Sequence, residues 1–446
     1  MSVDLQFRDF FHPFSILKLR RFLEKSQWFS EEELSSYQIN RLRSILSHAY
    51  ENIPYYHNLF DKTSFSPQDV ESLEDLKRIP VLTRDKLRIH FDSLVSKNAK
   101  KFHPILARTT GTSGESVEFL LDKPSNVLEF CYYWRHWSWA GYRLGDTFAE
   151  FGNFFFLKHR ENLYKIDHFN PFTKRLILNG ILFSYDNIDK YIDSIKKHKP
   201  LFLKGLASTL YIFALFLKKR AKSDISFKAV FSTGEMLMES QRKVIEEVFQ
   251  CKVFDSYGHM ERTVAISECP SGGYHVNLEY GIMEIEQVKN SDEKSGIGRI
   301  IGTSLHNFSM PLIRYEVGDL VELKKENVSC SCKRGLPLVE RIHGRREDSV
   351  ITPDGRVLTS IFVIFELVED IELGQIVQED KNRLLLRIVK KESYTKESEK
   401  KLISVVRDFV GNAMKIDIEY TGIEEIKRDD SHKFRVVVSR CKWDME

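Results

Sequence analysis

Apolar side chains recur at helical spacing through residues 1–100, most plainly between Leu34 and Tyr50, where the pattern breaks at Ile53-Pro54. Thr83-Arg84-Asp85-Lys86 predicts another helix start, with the Thr83 hydroxyl as its cap. From 105 to 344 the pattern changes. Short continuous apolar runs, such as Leu201-Phe202-Leu203, Ala229-Val230-Phe231 and Lys252-Val253-Phe254, are separated by helical stretches. Runs that are apolar on both faces predict buried, parallel strands, and their alternation with helices predicts an α/β architecture. Gly281–Glu286, Gly298–Thr303 and Asp319–Leu323 predict a β-rich section. Beyond Gly344 the signals start again, as in Arg383–Val389 and Lys415–Tyr420, over a length that suits a small independent domain. The expected organisation is a large domain over 1–344, mainly helical in 1–100, and a small α+β domain over 345–446, hinged near 344–348. No internal repeat or low-complexity linker interrupts it.

Composition narrows the class. The chain has 446 residues, 42% hydrophobic and 29% charged, which describes a folded protein of more than one domain. Basic residues number 67 against 64 acidic, so the charge is nearly balanced, and a dedicated nucleic-acid protein is not expected. Lys18-Leu19-Arg20-Arg21 and Lys218-Lys219-Arg220 read as solvated helix faces. No uninterrupted apolar segment suggests a signal peptide or a membrane span, and six cysteines make no disulfide framework. A cytoplasmic protein is the expectation; nothing in the pattern specifies an oligomeric state.

Candidate chemistry begins at Thr109-Thr110-Gly111-Thr112-Ser113-Gly114, directly after the apolar run Pro104–Ala107. Hydroxyls, exposed N–H groups and glycines in one short loop can surround a polyphosphate, although no Gly-Lys-Ser/Thr follows as a P-loop requires. Phe231-Ser232-Thr233-Gly234-Glu235 takes a strand into a polar turn, and strand C-terminal ends are where nucleotides bind in parallel sheets. In Asp255-Ser256-Tyr257-Gly258-His259-Met260-Glu261, Tyr257 offers a flat face to a purine, Gly258 permits close approach and Glu261 is a carboxylate suited to Mg²⁺. Leu312–Asp319 ends in a carboxylate after a glycine, suited to ribose hydroxyls. Gly344-Arg345-Arg346-Glu347-Asp348 sets arginine beside acids between the expected domains. Each fragment taken singly is more often a turn or a surface ion pair than a site.

In this order and spacing the fragments resemble the adenylate-forming superfamily, in particular the phenylacetate–coenzyme A ligase family and its capsule-biosynthesis-like relatives. The resemblance covers essentially the whole chain, including Ile53-Pro54-Tyr55-Tyr56 and Leu73–Thr83. It implies a large adenylation domain, with parallel sheets flanked by helices and a β-rich subdomain, and a small mobile C-terminal lid. It implies ATP binding by Thr109–Gly114, an adenine site at Gly234-Glu235 and Ser256-Tyr257-Gly258, and Mg²⁺ on Glu261. It implies a ribose carboxylate at Asp319, an arginine near the hinge at Arg345 and a catalytic lysine at Lys433. Three positions depart from the pattern: Glu115 where a lysine is usual, Met260 in place of a small hydroxyl residue, and His432 in place of a glycine. The implied activity joins a carboxylic acid, possibly aryl, to the α-phosphate of ATP and then passes the acyl group to coenzyme A. The alternative acceptor is an amine, a hydroxyl or a separate carrier protein in polysaccharide or natural-product biosynthesis.

Two further groups complete the reading. Phe151-Gly152 and Gly205-Leu206-Ala207-Ser208 follow apolar strands and are candidates for the acid pocket, whereas Tyr133 and Trp137 share a helical face and read as core. Cys269 and His275 flank Pro270–Gly273, with Cys330-Ser331-Cys332 downstream. Three sulfurs and one imidazole satisfy tetrahedral Zn²⁺, and the resemblance implies a structural zinc here; unrelated half-buried residues are the alternative.

Overall fold

Local signals place the N-terminal helices. The Ser30 hydroxyl accepts from the Glu33 N–H at 3.2 Å and the Glu33 carboxylate accepts from the Ser30 N–H at 2.8 Å, a reciprocal cap that starts the helix Glu31–Asn52. That helix stops at Ile53, and Pro54 opens the next, Pro54–Thr63, where its missing N–H costs nothing. Thr83 caps Arg84–Ile89 by accepting from the Lys86 N–H at 3.3 Å. The computed structural model describes residues 13–108, 117–152, 155–156, 159–162, 164–180, 182–220, 224–287, 296–324, 329–345, 350–353, 357–358, 361, 364–368, 370–426, 428 and 434–441.

The chain gathers into two compact units. The first comprises Met1–Asp146, Phe254–Gln287 and Gly296–Arg341. Its helix Lys123–Trp139 is capped by Asp122, carries Tyr133 and Trp137 into the core, and buries Arg135 in a bond to Glu279 at 2.7 Å. Its β-rich section is antiparallel. Gly281–Gln287 pairs with Ile297–Ser304, which pairs in turn with Tyr315–Leu323. Tyr274–Val276 lies between Leu338–Arg345 and Ala265–Glu268, and the last pairs with Lys252–Gly258. The expected β-rich section is therefore present, with the strand at Asp319 beginning earlier, at Tyr315, because Gly318 turns inside it at φ 90° instead of ending it.

The second unit comprises Thr147–Val253, Val288–Ser295 and Ile342–Glu446. Ala229–Thr233, Phe202–Gly205, Phe148–Phe151 and Arg175–Leu178 lie side by side and parallel, with Asp167–Asn170 antiparallel at the edge. Helices Ile188–His198, Ala207–Lys219 and Glu239–Phe249 supply apolar faces to the same buried cluster as these strands. A separate four-stranded sheet runs in the order Lys415–Tyr420, Arg383–Lys390, Ile371–Asp380, Val437–Ser439. Its first two strands are parallel, and Lys396–Val410 is the helix between them in sequence. The architecture is the α/β class with a β-rich section that the sequence predicts.

Candidate active site

Strand pairing in the first unit brings two aromatic–carboxylate pairs together. Tyr257, on Lys252–Gly258, donates its hydroxyl to Asp319 Oδ2 at 2.6 Å across a separation of 62 residues. Tyr315 donates to Glu261 Oε1 at 2.9 Å. Gly318, just before Asp319, packs under Arg84: a Cβ there would stand 3.0 Å from its guanidinium, which also donates to the Val317 carbonyl at 2.8 Å. By contrast, a Cβ at Gly258 would meet no described atom within 4 Å, so the backbone beside Tyr257 is open to close approach. Ser256 is buried one position earlier on the same strand, and Met260 is half-buried.

Glu261 is 4% exposed, yet its carboxyl is held down to about 2. Burial alone would raise it; the hydrogen bond from His259 and the electrostatic pull of His259 and Arg84 outweigh that. His259 Nε2 accepts from the Val264 N–H at 3.2 Å, so Nδ1 carries the proton directed at Glu261 Oε2, also at 3.2 Å. Glu261 is thus anionic, with His259 on one oxygen and Tyr315 on the other, and fits a hard divalent cation. His259, Tyr315 and Arg84 were not singled out from sequence; the only signal was that His259 lies inside the Ser256–Glu261 motif and Tyr315 inside Leu312–Asp319.

In the second unit, Gly234 follows the strand Ala229–Thr233 at φ 77°. The Glu235 carboxylate accepts from two backbone amides, Ser208 N–H at 2.9 Å on Oε2 and Phe434 N–H at 2.6 Å on Oε1. Burial raises its pKa; the Ser208 amide, the Arg428 charge and the Phe434 amide offset part of the rise. Of the acid-pocket candidates, Phe151 packs on Phe183 and Phe213, and Ala207 is buried at the start of its helix. The two glycines serve close packing rather than open room: a Cβ at Gly152 would lie 2.7 Å from Ile177, and one at Gly205 would lie 3.2 Å from Leu210. Thr109–Gly114, the Arg345 side chain, Lys433, Glu115 and His432 lie outside the described residues.

The four metal-ligating candidates converge in the first unit. Cys269 Sγ, His275 Nε2, Cys330 Sγ and Cys332 Sγ all lie within 4.8 Å of one another. Cys269 and Cys330 are 3.5 Å apart and Cys332 is 3.2 Å from His275 Nε2. Tetrahedral Zn–S bonds of about 2.3 Å place sulfurs roughly 3.8 Å apart, so the donor set fits zinc closely. His275 Nδ1 donates to the Leu336 carbonyl at 2.8 Å, which turns Nε2 toward the sulfurs. Gly273 makes the approach possible, since a Cβ there would be 2.9 Å from Cys330 Sγ. Arg334, next but one to Cys332, donates to Gln27 at 3.0 Å and lies over the Trp139 ring, tying this knuckle to the turn after the helix Pro13–Ser26 and to the end of Lys123–Trp139.

Residues 350–440 match the CapK C-terminal domain. The chain is 23% identical over 362 residues to protein CapK of Staphylococcus aureus, covering 80% of this chain and 78% of that one. It is 24% identical over 337 residues to a phenylacetate–coenzyme A ligase of Thermus thermophilus, covering 72% of each. Among solved structures, 2-hydroxyisobutyryl-CoA ligase in the postadenylation state with R3-HIB-AMP aligns with a TM-score of 0.71 at 19% identity, over 92% of this chain and 90% of that one. The fold is that of the adenylate-forming CoA ligases, and no helix of the described residues is long and apolar enough to cross a membrane.

Proposed function

We propose that this relative of CapK and of the phenylacetate–coenzyme A ligases is an AMP-forming acid–thiol ligase. A carboxylate oxygen attacks the α-phosphorus of ATP, forming an acyl-adenylate as the bond to pyrophosphate breaks. The coenzyme A sulfur then attacks the acyl carbon, AMP leaves, and the thiol proton is released. The observation that carries this reading is the pairing of Tyr257 with Asp319 beside an open glycine backbone, in a chain with the fold of CoA ligases. Tyr257 stacks on adenine, with Ser256 and Gly258 beside it, and Asp319 takes the ribose hydroxyls. The hydroxyls and amides of Thr109–Gly114 hold the leaving pyrophosphate, and Lys433 and Arg345 neutralise charge that develops at the α-phosphate. Mg²⁺ held by Glu261 would neutralise phosphate oxygens. His259 and Tyr315 orient that carboxylate, and His259, with Arg84 behind it, holds it ionised.

An aryl acid is the proposed substrate class, and Phe151 and Ala207 contribute to its pocket, with the cytoplasm as the compartment. Residues 345–446 act as a lid hinged near 344–348, and Cys269, His275, Cys330 and Cys332 hold one structural zinc. A second reading has an amine, a hydroxyl or a separate carrier accept the acyl group; the match of residues 350–440 to the CapK C-terminal domain gives it only weak support. Exchange of labelled pyrophosphate into ATP, run over a panel of carboxylic acids, tests the first step: acid-dependent exchange is expected, and its absence with every acid overturns the ligase reading. Thioester formation on adding coenzyme A separates the two acceptors.

A further inference from the structure

We propose that Glu235 is a positioning residue for acyl-adenylate formation, its two oxygens tying the first turn of the helix Ala207–Lys219 to the backbone that immediately follows Lys433. The inference rests on the ligase reading above but gives Glu235 a different task from an adenine contact. Both of its oxygens are already engaged, each by one backbone amide, at 2.9 Å from Ser208 and 2.6 Å from Phe434. Charge-assisted bonds of this kind are about twice as strong as neutral ones.

The two amides belong to segments with distinct roles. Ser208 stands in the first turn of a helix whose N-cap, Leu206, offers no side-chain bond, so Glu235 supplies the missing acceptor from outside the helix. Phe434 forms an isolated antiparallel bridge with Arg428, and that bridge brackets the stretch of sequence that contains Lys433. The far side of this base is fixed as well: Gln375 donates to the Arg435 carbonyl at 2.9 Å, and the Ile376 N–H donates to Val436 at 2.7 Å. The same helix holds the C-terminal sheet at a second point, because Tyr211, one turn after Ser208, donates to the Glu372 carbonyl at 2.8 Å. Glu235 is therefore the link through which the strand–turn after Thr233, the start of the helix and the backbone from Phe434 onward share one geometry. A lysine that must reach the α-phosphate needs that geometry in the first half-reaction and not in the second.

The test uses full-length Glu235→Gln and Glu235→Asp. A glutamine offers one acceptor oxygen, so one amide loses its partner; aspartate keeps the charge but falls short by a methylene. For each variant, ATP KM and kcat are measured by pyrophosphate exchange, and thioester formation is measured from presynthesised acyl-adenylate with coenzyme A. Amide hydrogen exchange of the peptide spanning 434–441 is followed in parallel. The expected result is a fall in adenylation kcat of about a hundredfold, the scale of a misplacement of about an ångström. ATP KM and the thioester half-reaction should be unchanged, exchange at 434–441 should be faster, and aspartate should lie between glutamine and wild type. A raised ATP KM at constant kcat, an equal loss in both half-reactions, or unaltered exchange at 434–441 each overturns the proposal. Absence of acid-dependent exchange in the wild type overturns the ligase reading itself, and this inference with it.

Discussion

Asp319 and Glu261 are both buried carboxylates on the strands and turns of the first unit, and they are held in different ways. Asp319 takes one short bond from Tyr257. Replacing it with alanine should weaken ATP binding by about 1.5–3 kcal/mol, the range for a hydrogen bond to a charged group, with the fold retained. Titration calorimetry showing unchanged affinity would remove Asp319 from the nucleotide site. Glu261 is held at about 2 against an ordinary value of 4.5, so its ionised form is favoured by folding. A depressed carboxyl contributes stability that is fully present above the unfolded value and is lost as pH falls through the folded one. The difference in thermal midpoint between wild type and Glu261→Gln should therefore shrink as pH falls from about 4.5 toward 2, and a difference that stays constant over that window rules out this origin.

Between elements, the connections are polar and buried. Arg135, on Lys123–Trp139, is fully enclosed with Glu279, and donates also to the Asn277 side chain and the Leu23 carbonyl at 3.0 Å. Arg135→Met leaves Glu279 buried without its main counter-charge and should cost about 3–5 kcal/mol in chemical denaturation, whereas a surface pair would cost little. The cysteine knuckle joins the hairpin Ala265–Val276 to the loop before Leu338–Arg345. Purified protein should hold about one zinc per chain, and Cys330→Ser should lower both metal content and thermal midpoint. Elemental analysis that finds no zinc in unchelated protein rules the site out. The four ligand types were legible in the sequence, but their convergence was not, because it depends on His275 pairing opposite Leu338, 63 positions on, a register that no local pattern specifies.

For the whole molecule, the decisive expectation concerns the order of the two half-reactions. Lys433→Ala should abolish most acyl-adenylate formation while leaving thioester formation from presynthesised adenylate near the wild-type rate. A proline at Glu347 should show the reverse bias, because it stiffens the hinge about which the lid turns between the two steps. Equal impairment of both half-reactions by Lys433→Ala would rule out the lysine assignment and the alternation together.

The sequence by itself determined the local features. Ser30, Pro54 and Thr83 place helix starts with partners three residues away or none, and Ala229-Val230-Phe231 is apolar enough on both faces to be a strand in any plausible packing. It also determined the order of the motifs, and with it the class of chemistry. Tertiary structure decided what each carboxylate holds. Glu261 meets a tyrosine 54 residues away, Asp319 meets one 62 residues back, and Glu235 meets an amide 199 residues on. It also set Gly152 against Ile177 and Gly205 against Leu210, close contacts that no local pattern specifies. The division has a physical cause. Caps and periodicity depend on hydrogen bonds and faces formed within a few residues, whereas the partners of buried charges depend on sheet register and chain path, which are settled only when distant segments pack and must satisfy every polar group they remove from water.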